Sequence, residues 1–126
     1  MAKATPDAVF DAMLAEIATG TVMVVCNAQP TTWTELITTF ALADVVMVAG
    51  HGNDYTIADG DVSGRKVTTA VKNGVNIDTT GTATHVGIGR TADTTLLYVT
   101  TCTSQALTSG NPVNVPAWRI EVADPT

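Results

Sequence analysis

Short bursts of alternating apolar and polar residues, rich in Thr and Val, fill the chain from Gly64 onward. Examples are residues 66–71, 82–88, 96–100 and 118–122, and Gly, Asn and Asp stand between such bursts. Alternation with a period of two places successive side chains on opposite faces of a strand, and turn residues end each strand. The pattern predicts a mainly β fold, an antiparallel β-sandwich or barrel.

The N-terminal segment departs from this pattern, because its apolar residues recur at helical spacing. Positions 9, 10, 13, 14 and 17 form one stripe. Thr5, Pro6 and Asp7 supply a capping hydroxyl, a proline suited to the first turn and an acid near the positive end of the helix dipole. Gly20 is a natural stop. The stripe could pack on one end of the β-core or dock onto another subunit.

The 126 residues have the length of one domain. We predict an N-terminal helix over about residues 5–19 and a β-domain over 21–126. Within the β-domain the predicted strands are 21–26, 43–49, 55–58, 65–71, 75–78, 83–89, 95–101 and 117–123. Residues 33–42 are predicted as a short helix or a loop, because Thr32 and Glu35 fit a capping box. The two prolines near residues 111–115 confine that segment to a sheet edge at best. The predicted core residues are Phe10, Leu14, Val24, Val46, Val86, Leu97, Ile120 and Val122.

Charge and polarity narrow the class of partner. The net charge is −6, and the six Lys and Arg residues form no cluster, so a nucleic-acid partner is not expected. No apolar run approaches the ~20 residues of a membrane span, and the first residues lack the pattern of a signal peptide. Only 14% of residues are charged, whereas Thr occupies 23 positions. Neutral hydroxyls are easier to desolvate than charges, which favours a surface that neighbours cover.

One loop matches half of a calcium-binding motif. Asp59, Asp61, Ser63 and Gly64 occupy the first positions of the pattern D-x-D-x-S-G. The twelfth position, where a bidentate Glu belongs, is Ala70. We therefore expect an Asp/Gly-rich hairpin turn and no metal.

The segment from Gly87 to Ala92 formally fits the dinucleotide-binding pattern G-x-G-x-x-A. That motif must leave a strand and open a helix, whereas here Asp93 and Thr94 lead into another strand. We expect a strand end and a turn, and no cofactor. Of the two histidines, His51 in a Gly-flanked loop is expected to be exposed, and His85 in a strand to be packed or at the rim of the fold. No nucleophile or zinc signature is present, so no catalytic residues and no enzymatic activity are predicted.

Cys26 and Cys102 are the two cysteines, and each lies at the end of an apolar strand. If those strands are neighbours, the sulfurs could form a disulfide. Free thiols, as expected for a chain made in a cytosol, and a bond to another subunit are the alternatives. Trp118, in an alternating strand, is expected to fill the core rather than a partner's pocket.

Several segments together resemble small virion proteins of tailed bacteriophages. They are the N-terminal helix and residues 24–32, 63–68, 81–85, 96–101 and 107–113. The resemblance implies a compact β-domain without cofactors that decorates the head shell or belongs to the tail. It supplies no catalytic residues.

We therefore expect a non-enzymatic virion protein, made in the host cytoplasm, that binds and stabilises the outside of a phage capsid. Its partners would be the major capsid protein and copies of itself, in a homo-oligomer for which a trimer is the specific expectation. Two alternatives are a tail or baseplate component and a receptor- or carbohydrate-binding β-domain. An exposed platform formed by Trp33, Tyr55 or Trp118 would favour the carbohydrate-binding role, and buried aromatics beside a Thr/Val surface would favour the capsid.

Overall fold

A computed structural model describes residues 5–125 of the chain. The described residues form one α-helix, a short π-helical turn and nine strands. In chain order they are α1 (Asp7–Ile17), β1 (Val22–Cys26), the π turn (Glu35–Thr39), β2 (Ala41–Val46), β3 (Tyr55–Asp59), β4 (Arg65–Thr69), β5 (Lys72–Asn76), β6 (Gly81–Arg90), β7 (Thr95–Leu107), β8 (Pro112–Val115) and β9 (Arg119–Val122).

All strand pairs are antiparallel and fall into three sheets. The largest has the order β2-β1-β6-β7, the second the order β3-β4-β9, and β5 pairs with β8. The described strands do not close into a barrel. The predicted mainly β, sandwich-like fold with an N-terminal helix is therefore confirmed.

Helix α1 packs on the β-core through part of its stripe. Phe10, Leu14 and Ile17 are buried, whereas Val9 and Met13 stay exposed. Pro6 is the N-cap residue and no side chain caps the helix, so the predicted role of the Thr5 hydroxyl was wrong.

The buried apolar residues form two clusters. The larger lies among α1 and the three sheets, and includes Met23, Val67 and Ile88. The smaller, Val24, Cys26 and Leu36, lies on the opposite face of β1. Because alternate residues of β1 face the two clusters, this strand is buried on both sides, as its continuous apolar run predicts.

The core predictions hold with one exception. Phe10, Leu14, Val24, Val86 and Ile120 are buried, and Leu97 and Val122 pack against the larger cluster. The exception, the side chain at position 46, is 74% exposed.

The error at Val46 follows from the register of β2. This strand is at a sheet edge, and its pairing with β1 shifts between Val25 and Cys26. Leu42, Ala43 and Met47 enter the core instead of Val46. A shift of one residue moves a side chain to the other face, and the apolar run alone could not fix it.

Candidate assembly surface

Strand β7 forms an open edge of the four-stranded sheet. It has 13 residues and pairs with β6. Among residues 5–125, every hydrogen bond to the backbone of residues 95–107 comes from β6. The outward-facing N–H and C=O groups of β7 are thus available to an extended partner.

The C-terminal half of β7 is exposed and uncharged. Thr101, Thr103, Ser104, Gln105 and Ala106 are exposed, and the whole strand contains no charged residue. In a chain with net charge −6, this is the kind of surface that the Thr-rich composition predicts.

Covering segments protect two other sheet edges. On β2, the carbonyl of Leu42 accepts bonds from the N–H groups of Asp78 and Thr79, at 2.8 and 3.1 Å. On β3, the carbonyl of Tyr55 accepts from Gly52 at 2.8 Å, and the N–H of Ile57 donates to His51 Nδ1 at 2.9 Å. The contrast makes β7 the candidate contact edge.

An apolar groove of about 440 Å³ lies beside the exposed half of β7. One side consists of β6 and β7, with Val86, Thr100 and Cys102. The other side consists of β8 and the segment after it, with Pro116 and Trp118. Its lining includes no charged side chain, so an occupant would be neutral where it enters the groove.

The aromatic side chains are turned into the fold. Tyr55 is fully buried and donates its hydroxyl to the carbonyl of Gly20 at 3.0 Å. Burial raises the pKa of Tyr55. Trp33 packs against the smaller cluster and Trp118 against the larger, so these three residues do not form an exposed platform.

The Asp59–Gly64 segment is a hairpin loop between β3 and β4, as predicted. Its acids are neutralised by basic side chains: Asp59 by Arg65, and Asp61 by Lys66 at 2.6 Å and Arg119 at 2.7 Å. No cluster of three potential metal-binding side chains occurs among the described residues. These carboxylates therefore hold the hairpin and β9 together.

The Gly87-Ile88-Gly89 sequence lies within β6, and the residues after it form a turn, as predicted. The structure explains its glycines by packing. A Cβ at position 87 would stand 2.5 Å from Leu36, and one at position 89 would stand 2.6 Å from Trp33. The two glycines thus let the segment around the π turn lie directly on β6.

Both histidines make local hydrogen bonds. His51 is exposed, as expected, although its ring accepts the bond from Ile57 described above. His85 is half-buried in β6, and its Nδ1 lies 2.8 Å from the hydroxyl of Thr84.

Both cysteines are free thiols. The strands that carry them are not neighbours, because β6 lies between β1 and β7, so the condition set for a disulfide is not met. Cys26 faces the smaller cluster, whereas Cys102 packs against the larger. Burial raises the pKa of Cys26 to about 12.

Neither the groove nor the exposed C-terminal half of β7 was predicted from the sequence. The predicted strand stopped at Thr101, because residues 102–106 lack the alternation of apolar and polar side chains that marks a half-buried strand. Their uncharged composition was the available signal.

No protein-family description, curated protein sequence or solved structure matches this chain. Among the described residues, no helix is long and apolar enough to cross a membrane.

Proposed function

We propose that this chain is a non-enzymatic virion structural protein that binds the outside of a bacteriophage capsid as a decoration protein. The observation that carries the proposal is the exposed, uncharged half of β7 with its apolar groove, on a chain of net charge −6. Such a surface favours contact with neutral protein surfaces. The resemblance of the sequence to small phage virion proteins points in the same direction.

In this proposal the partners are the major capsid protein and further copies of the chain, and the protein is made in the host cytoplasm before it joins the virion. Many weak contacts on a repeating lattice would add up to strong attachment. A ligand that binds only the assembled shell shifts the equilibrium toward assembly. The protein would therefore stabilise the particle without performing a reaction.

The test compares particles that contain this protein with particles from which its gene is deleted. We expect the deleted particles to assemble and then to release their DNA at a lower temperature or at low ionic strength. Equal resistance of both preparations would contradict a stabilising role, and complete failure of assembly would contradict decoration. A cryo-EM map of the intact particle would distinguish the head from the tail or baseplate, which is the second candidate location.

A receptor- or carbohydrate-binding role is less well supported. Sugar rings commonly stack on exposed aromatic faces, whereas Tyr55 is buried and Trp33 and Trp118 are packed against the core. Binding to a glycan array that Trp33→Ala abolishes would favour this role over decoration.

A further inference from the structure

The β7 edge combines three properties that the other strand edges lack in combination: length, absence of charge and absence of a covering segment. By contrast, β9 has four residues and carries Arg119 and Glu121. β8 also has four residues and begins with Pro112. Soluble proteins protect exposed edges with charges, prolines, short strands, β-bulges or covering loops. Of these devices, β7 shows bulges only.

The two bulges leave three paired stretches on β7, of which residues 98–101 and 105–107 are the longer two. The pairing with β6 is continuous over residues 98–101 and resumes at Gln105. Between them, residues 102–104 form a bulge opposite Thr84. A partner strand would therefore pair with the two stretches and pass over the bulge.

Charge indicates which partner fits this edge. Two copies of a chain with net charge −6 repel each other in most orientations. Along Thr95–Leu107, however, no charged side chain would face its own copy. A basic partner would gain no attraction from this strand. The edge is thus where two copies can approach without opposed like charges.

We propose that β7 pairs antiparallel with β7 of a second copy, around a two-fold axis near Thr103. The two four-stranded sheets would then form one continuous sheet across the dimer. The bulges of both copies would meet at the axis, and residues 98–101 of each strand would lie opposite the stretch that begins at Gln105 in the other. Such an isologous contact closes at two subunits, unlike the trimer expected from the sequence. This pairing rests on the same β7 edge as the proposed virion role, but its test needs only the isolated protein, whereas the virion role is tested on particles.

The test introduces a positive or a negative charge at Thr103, which is exposed. In light scattering coupled to size exclusion, the wild type should have twice the 13.0 kDa chain mass. Thr103→Lys and Thr103→Asp should each weaken the dimer at least tenfold, because like charges meet at the axis. An equimolar mixture of the two variants should restore it. Thr56→Lys and Thr56→Asp, at an exposed strand position of the other sheet, should leave the dimer unchanged.

A monomeric or trimeric wild type would overturn the proposal, as would a dimer that Thr103→Lys leaves intact. A mixture that stays monomeric would also overturn it. Hydrogen exchange of the wild type gives a second test that needs no variant. The outward-facing amides among residues 98–107 should lose protection on dilution below the dissociation constant, whereas those bonded to β6 and those of β1 should not. Protection of the outward-facing β7 amides that does not depend on concentration would refute the pairing.

Discussion

Trp118 stacks on Tyr98, with their ring centroids 6.1 Å apart and their planes inclined by 26°. The Trp118 indole also donates its N–H to the sulfur of Met23 at 3.3 Å. Trp118 precedes β9, Tyr98 lies in β7 and Met23 in β1. One side chain therefore connects the two main sheets and forms part of the groove wall.

The Trp118→Ala variant should lower the free energy of unfolding by about 3 kcal/mol, from lost burial and the lost ring pair. Trp118→Phe, which keeps a ring in place, should lose less than half of that. Urea denaturation, at protein concentrations where the chain is monomeric, measures the loss for both variants. A loss below about 0.5 kcal/mol for Trp118→Ala, typical of surface sites, would mean that Trp118 serves a partner rather than the core.

Local patterns predicted most elements of the fold. The helical stripe located α1, and half of the predicted capping box is present, since the Thr32 hydroxyl accepts the N–H of Glu35 at 3.1 Å. The Glu35 carboxylate, however, accepts from the N–H and hydroxyl of Thr31 instead of the N–H of Thr32. The alternation of residues and the turn residues located the strands, although several bounds moved.

The sequence could not predict the sheet order or what lies on each edge. β1 pairs with β6, about sixty residues later in the chain, and no local pattern encodes that choice. The same holds for the groove, which forms because β7 and the segment around Pro116 come together. The sequence placed the glycines of β6 at a strand end, but their packing role depends on Trp33 and Leu36, which lie about fifty residues earlier in the chain.

The second prediction concerns Leu14 and Val46, two predicted core residues of which only Leu14 is buried. Leu14→Ala should lower the free energy of unfolding by about 2–5 kcal/mol, because Leu14 is fully buried. Val46→Ala should change it by no more than about 0.5 kcal/mol, because Val46 is 74% exposed. Denaturant titration of both variants checks the register of β2. A large loss for Val46→Ala would instead support the core position that the sequence predicts for Val46.

The third prediction tests the packing of β6 against the π turn. Gly87→Ala should destabilise the fold by about 1–3 kcal/mol, since its Cβ would stand 2.5 Å from Leu36. Adding Leu36→Val should recover part of the loss, because a shorter side chain makes room. Gly52→Ser is a control for a glycine without a close neighbour, because nothing lies within 4 Å of a Cβ at that position. The positive φ of Gly52 adds backbone strain in this control. Additive effects at positions 87 and 36 in thermal unfolding would rule out this contact.

The fourth prediction concerns thiol reactivity. Cys26 is fully buried and its pKa is raised to about 12, so it should not react with Ellman's reagent while the protein is folded. Cys102 is half-buried and lines the groove, and should react slowly. We expect up to one thiol per chain to react in buffer and two to react in guanidinium. A Cys102→Ser variant that still reacts in buffer would contradict the burial of Cys26.

The last prediction uses two carboxyl groups with opposite pKa shifts. Asp44 is exposed as a whole, but loss of hydration around its carboxyl and the nearby Asp78 raise its pKa. In the folded state Asp44 therefore favours its neutral form, and its ionised form destabilises the protein at neutral pH. Asp44→Asn should thus be more stable than the wild type at pH 7. This difference should shrink as the pH falls through the folded pKa of Asp44 and vanish by about pH 4, near the unfolded value.

Asp93 has a pKa shift of the opposite sign, so its effect on stability is also opposite. Its hydrogen bonds to Arg90 lower the pKa of Asp93 to about 2, so its ionised form stabilises the folded protein. Asp93→Asn should therefore be less stable than the wild type at pH 7, and that deficit should close as the pH falls from about 4 toward 2. Thermal melts at several pH values measure both differences. Parallel pH profiles for the wild type and Asp44→Asn would contradict the raised pKa of Asp44.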